Sequence, residues 1–198
     1  MSTATPLLVP IVEGWGEVEA IPALIRKWLQ TNLRTTGVRR PVRAPGRHAL
    51  IARDGIERYV SLACRIPRCA AVLVVLDADE GCPFREGPDL QRRAESAAGT
   101  VPVAVVLAKC EYEAWLIASA ESISGHRGLP ADLTCPASPD ELRDPKGWLS
   151  NRLPAGRRYQ PTLDQTALTA HLDFALARER SRSFRKLLSA LDKLIPGS

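Results

Sequence analysis

The sequence predicts a three-layer α/β domain with a mostly parallel central sheet, followed by a helical C-terminal extension. Three observations carry this expectation. Short, uniformly apolar runs alternate with stretches of helical period, the pattern of strands covered by helices on both faces. Acidic residues follow three of those runs directly. Beyond residue 124 the apolar residues recur only at helical spacing.

Leu7 to Val12 is a short apolar run ending at Glu13-Gly14 and reads as a buried strand. Pro10 is a blemish in it, because proline removes a ladder donor. Val18, Ile21, Ile25, Trp28 and Leu29 then recur at helical spacing to about Thr31, with Pro22 predicting a late start or a kink. Residues 38–47 form a basic, proline-broken strand or loop. Ala49 to Cys64 reads as one helix weakened by Gly55. Ala70 to Leu76 is the clearest strand, ending in Asp77-Ala78-Asp79. Glu80 to Pro88 reads as a loop and Asp89 to Ala98 as a short helix closed by Gly99. Val101 to Ala108 is another buried strand, followed by Glu111-Tyr112-Glu113 and a helix to about Ser122. Residues 124–140 are rich in Gly, Pro and Ser and connect to helices near Asp144 to Leu153, Asp164 to Arg180 and Ser183 to Ile195. The domain reading is an α/β metal-binding core over 1–123 with a helical extension, 124–198, packed on it.

Composition narrows the class. A chain of 198 residues with 45% hydrophobic and 25% charged side chains is globular. Its longest apolar runs are eight residues, far short of the roughly 20 that cross a bilayer. No basic n-region opens the chain, so a cytoplasmic location is expected. Five cysteines without a CxxC pair argue against a zinc site or a disulfide framework.

Charge is unevenly placed. Residues 26–68 carry a net +9, and residues 69–123 a net −5. A basic stretch between two acidic ones suits a metal centre beside a surface for a polyanion.

In an open parallel sheet, ligands gather beyond the carboxyl ends of the strands. Glu13 follows the first predicted strand, Asp77 and Asp79 a later one, and Glu111 and Glu113 the last. Glu17 lies one helical turn past Glu13, which can bring both above one strand end. Asp77 and Asp79 share a side if the chain stays extended. Carboxylates crowded in this way repel, and a hard Mg²⁺ or Mn²⁺ ion would relieve them.

Glu13-Gly14-x-x-Glu17 and Asp77-x-Asp79 resemble the Toprim domain shared by topoisomerases, bacterial primases and OLD-family nucleases. The Glu111-to-Leu116 segment, with Asp144-to-Leu149, Tyr159-x-Pro161-Thr162 and Ser183-to-Leu187, is similar to a group of bacterial proteins, DUF4276, related to OLD-type Toprim domains and often encoded beside ATPases. The resemblance covers nearly the whole chain and implies a Toprim/Rossmann-like fold. It implies Glu13 as metal ligand or general acid/base, and Asp77 and Asp79 as metal ligands. The OLD-type pattern adds Glu17 and Glu113, which would permit two metals, and a lysine, for which Lys146 is the candidate and Lys109 the other choice. The function implied is a Mg²⁺/Mn²⁺-dependent nuclease on DNA or RNA, working with an ATPase partner in anti-phage defence. The alternative is a non-catalytic Toprim module that binds nucleic acid or a protein.

Competing patterns are weaker. A haloacid-dehalogenase signature would need Thr or Ser soon after Asp79, where Glu80-Gly81-Cys82 stands. The other ligands of a calcium loop are missing, and Gly14-Trp15-Gly16 is too short for a phosphate-binding loop. His48, His126 and His171 show no metal spacing. The tryptophans fit core or interface anchors better than base-stacking platforms, since three of the four fall in helical patterns.

Overall fold

The computed structural model describes residues 4–79 and 81–197. Glu80, expected in a loop, lies outside the described residues. Five strands form one sheet in which every pairing is parallel. Strand β1 (Leu7–Val12) pairs on one side with β4 (Cys69–Asp77), which in turn pairs with the edge strand β5 (Val103–Ala108). On its other side β1 pairs with two strands of two residues each, β2 (Gly37–Val38) and β3 (Val42–Arg43). The fold is a Rossmann-like three-layer α/β arrangement.

The break between β2 and β3 explains Pro10. The carbonyls of Leu8 and Val12 accept from the N–H groups of Arg39 and Ala44 at 2.9 and 2.8 Å. With a period of two, Pro10 turns toward that same edge, midway between them. Its nitrogen, which has no hydrogen to give, therefore faces the gap between β2 and β3.

Side chains of the sheet alternate between two cores. Ala71, Leu73 and Val75 face one, with α1 (Glu17–Thr31), α5 (Glu113–Ala118) and α10 (Arg182–Leu194). Val72, Val74 and Leu76 face the other, with α3 (Gly55–Cys64) and α4 (Pro83–Ala98). The first core also takes in Leu149, Leu168, Phe184 and Leu191, so residues from 124–198 complete one layer.

Several predicted helices are divided or displaced. The helix expected over 49–64 is α2 (Arg47–Ile51) and α3, separated at Asp54, whose φ is +57°. Gly55 lies so close to the carbonyls of Ala49 and Leu50 that a Cβ would collide with them. Helix α4 begins at Pro83 inside the expected loop; proline is well suited to a first helical turn, and the helix continues through Pro88. The helix expected to reach Ser122 breaks at Ser119, leaving α5 and α6 (Ala120–Ile123). The stretch 164–180 is a wide turn, Pro161–Gln165, then α8 (Thr166–Thr169) and α9 (Phe174–Arg180). Asp173 restarts the chain as α9 by accepting from the N–H groups of Ala175 and Leu176, a local bond that competes with a continuous helix. Helix α7 spans Pro145–Ser150 behind the cap Asp144.

Two closures hold the ends of the sheet and the tail. The Gln91 amide on α4 donates to the Val103 carbonyl at 2.9 Å and accepts from the Val105 N–H at 2.7 Å. It occupies the ladder positions that another strand would use on the edge strand β5. Ser181 caps α10 by accepting from the Phe184 N–H, and the buried Trp115 indole donates to Ser183 at 2.8 Å. Among the described residues, no helix is long and apolar enough to cross a membrane.

Candidate acidic site at the strand ends

The acids that follow β1, β4 and β5 meet beyond the carboxyl end of the sheet. Glu13 extends from the end of β1, and its Oε1 accepts from the Asp77 N–H at 2.5 Å. Asp77 closes β4, and its Oδ1 accepts from the Tyr112 N–H at 2.8 Å. Glu17 and Glu113 open α1 and α5; both are buried, Glu113 completely. A single side-chain nitrogen, Nε2 of Gln165, donates to Glu17 Oε1 at 3.1 Å and to Glu113 Oε1 at 3.2 Å.

Local sequence makes this approach possible. The Glu17 carboxylate folds back over Gly14 so closely that a Cβ there would overlap its oxygens. Gly16 lies in the same relation to the Gln165 amide and to Pro161. Only hydrogen atoms fit at both positions, so Gly14-Trp15-Gly16 is a spacer around the Glu17–Gln165 contact rather than a phosphate loop.

Burial and mutual repulsion set the electrostatics. The Asp77 carboxyl is pushed well above the usual carboxylate range by burial, then by Glu113 and Glu17, with Lys146 pulling the other way. Glu13 is raised by burial, eased by the Asp77 N–H, and raised again by Asp79 and Glu17. Glu113 is pushed up to about 7, chiefly by burial, against the pull of Lys146. Lys146 on α7 brings an ammonium to the site, its Nζ 2.8 Å from Glu111 Oε1 and 3.5 Å from Glu113 Oε2. Burial disfavours its charge, but Glu113 and Glu111 more than compensate and hold it protonated. Tyr159 has a buried hydroxyl without a partner; burial and then the Glu113 charge push its phenol far upward.

Asp79 takes a different position. The chain leaves β4 by a turn in which Asp79 has φ +49°, so the extended DxD geometry does not hold and the two aspartates diverge. Asp77 is half-buried, whereas the Asp79 side chain is 60% exposed and pairs loosely with Arg47 at 3.9 Å. It lines an open depression with Lys109, Cys110, Glu111, Glu141 and Arg143. Lys109 thus faces Asp79, while Lys146 faces Glu113. Arg47 on α2 also donates to the Asp77 carbonyl at 3.0 Å and pairs with Glu86.

The donors suit a hard divalent cation, since all are oxygens, and Oε2 of Glu17 and Oε2 of Glu113 are buried without a hydrogen-bond partner. Their spacing is not a closed shell. Among the described residues, no three His, Cys, Asp or Glu side chains stand together closely enough to hold an ion as they lie.

Three neighbours were not foreseen. Gln165 is a polar residue in what reads as an amphipathic helix, and its burial is the only signal. Arg47 is one of many arginines in the basic stretch, distinguished only by following Gly46 at a helix start. Tyr159 carried no catalytic pattern, although it falls in a segment that drew the family resemblance.

A family model described as a domain of unknown function, DUF4276, matches residues 12–192. The matched range includes the acids at all three strand ends, Lys146 and Gln165. No curated protein matches the chain.

Proposed function

We propose that this chain, which belongs to the DUF4276 family, is a Mg²⁺- or Mn²⁺-dependent enzyme acting on phosphodiesters, a nuclease of DNA or RNA. One observation carries the reading: acids from three strand ends converge, Glu17 and Glu113 buried and Glu13 and Asp77 half-buried, and Oε2 of both Glu17 and Glu113 has no hydrogen-bond partner. Buried carboxylates are retained at such a cost only where a proton or a cation completes them. The Toprim likeness of Glu13-Gly14-x-x-Glu17 and Asp77-x-Asp79 supports a nucleic-acid substrate, and the resemblance to a group often encoded beside ATPases supports an ATPase partner and a role in anti-phage defence.

Glu17, Asp77 and Glu113 would hold the cation, with Glu13 and Asp79 flanking them. When bound, a divalent cation neutralises phosphate charge and makes a water acidic enough to act as nucleophile. Glu13, raised toward neutrality by burial, holds or releases a proton beside the Asp77 amide. Lys146 offsets the negative charge of Glu111 and Glu113 and is placed to meet a phosphate oxygen. Arg47 keeps the end of β4 in place through the Asp77 carbonyl.

The test is cleavage of end-labelled single- and double-stranded oligonucleotides in Mn²⁺ by the wild type, Asp77→Asn and Glu113→Gln. Calorimetric Mn²⁺ titration of the same proteins runs alongside. Cutting that survives both substitutions would sink the assignment. The Gln165 bridge and the Lys146 ion pairs favour a second reading, a non-catalytic module whose acids serve the fold. Wild type that neither binds Mn²⁺ nor cuts, alone or with its partner, selects that reading.

A further inference from the structure

Two large aromatic side chains stand in solvent shortly after strands that end in site acids. Trp15, between the two site glycines, is 63% exposed, and Phe84, in the first turn of α4, is 88% exposed. Their loops follow β1 and β4, which are adjacent strands. A single exposed ring needs no explanation by itself; what sets Trp15 apart is the charge around it. Trp15 departs from the expectation that tryptophans serve as anchors: Trp28 and Trp115 are buried, and Trp148 is half-buried.

The chemistry around Trp15 is that of a polyanion site. The Arg43 guanidinium lies over its indole at 3.9 Å, and Arg43 Nη1 also donates to the Glu13 carbonyl at 3.5 Å. Exposed Arg39 and Arg40 precede it on the same edge, within the segment of net +9. A flat π face backed by a guanidinium, with further arginines along the same sheet edge, matches a base and a trailing phosphate backbone. A base inside a duplex has both faces covered and cannot stack on it.

We propose that Trp15, held by Arg43, is a stacking platform for an unpaired base and directs this chain to single-stranded nucleic acid. The inference rests on the phosphodiester-acting reading for its relevance to cleavage, but the binding it describes needs no metal. Phe84 offers a second ring after the neighbouring strand, and the strand ends between them hold Glu13 and Asp77.

The test is fluorescence anisotropy in EDTA with labelled oligothymidylate, oligouridylate and a blunt duplex of equal length. Wild type is expected to bind at least one single strand more tightly than the duplex. Trp15→Ala should weaken single-strand binding about 5- to 150-fold, as loss of one stacked base does, and Trp15→Phe should restore most of it. Because Trp15 is exposed, the melting temperature of Trp15→Ala should match wild type. Absence of binding to either single strand, preference for the duplex, or unchanged binding by Trp15→Ala overturns the proposal. Asp77→Asn, assayed in parallel for cutting and for binding, separates this outcome from failure of the catalytic reading, since it should lose the first and keep the second.

Discussion

Glu17 and Glu113, on different helices at different strand ends, are joined through one nitrogen of Gln165 at 3.1 and 3.2 Å. Each carboxylate keeps its second oxygen without a hydrogen bond, although Lys146 stands 3.5 Å from that of Glu113. Gln165→Met, which keeps much of the side chain's length but not its N–H donor, leaves two buried acceptors bare. A loss of about 1–3 kcal/mol in unfolding free energy is expected, measured by urea denaturation in EDTA. A variant as stable as wild type would show that the bridge contributes nothing.

The Glu113 carboxyl titrates near 7 in the folded protein against an ordinary 4.5. The native state therefore holds this proton over a range where the unfolded chain has released it, and stability falls as pH rises from 4.5 through 7. Asp77, raised well above its usual value by burial and by Glu113, acts in the same direction. In EDTA the melting temperature should be several degrees higher near about pH 5.5 than near about pH 8. Glu113→Gln should flatten much of that slope. A profile that rises over this interval would contradict the assignment.

Gly14 and Glu17 form a coupled pair. Gly14→Ala places a methyl where the Glu17 carboxylate lies, and overpacking of this kind costs about 1–3 kcal/mol. In the Glu17→Ala background the same substitution should cost much less. A double-mutant cycle in thermal or chemical denaturation measures the coupling, and additive effects would refute it.

The reading of the fold from sequence succeeded where a segment is buried on two faces or amphipathic on one. Ala70 to Leu76 is all apolar, with three β-branched valines among its seven residues, and it lies within β4; the Phe184, Leu187, Leu188, Leu191 series gives α10. It failed where the break is made by a partner distant in sequence or by backbone handedness. Nothing in Ala49 to Cys64 announces that Asp54 turns left-handed, or that Gly55 must touch the Ala49 carbonyl. At the site, the strand-end rule brought out Glu13, Asp77 and Glu113 because it depends only on topology. Gln165 stayed hidden because its role depends on where the wide turn at 161–165 docks. The divergence of Asp79 follows from one φ angle that an Asp-Ala-Asp sequence does not fix.

The Gln91 amide stands in for a strand along β5. Gln91→Leu should bare the Val105 N–H and the Val103 carbonyl, costing about 1–3 kcal/mol and opening an edge to other chains. Denaturation and concentration-dependent light scattering report the two effects. A monodisperse, fully stable variant would show the edge needs no cover.

The late position of Lys146 and Gln165 in the chain has a consequence for biosynthesis. Every acid of the site has left the ribosome's catalytic centre before Lys146, which pairs with Glu111, and Gln165, which bridges Glu17 and Glu113, are made. A nascent polypeptide that stops short of residue 146 carries uncompensated carboxylates and has reason to stay open there. The Lys146 ion pair and the Gln165 bridge are therefore completed only once residue 165 has been made.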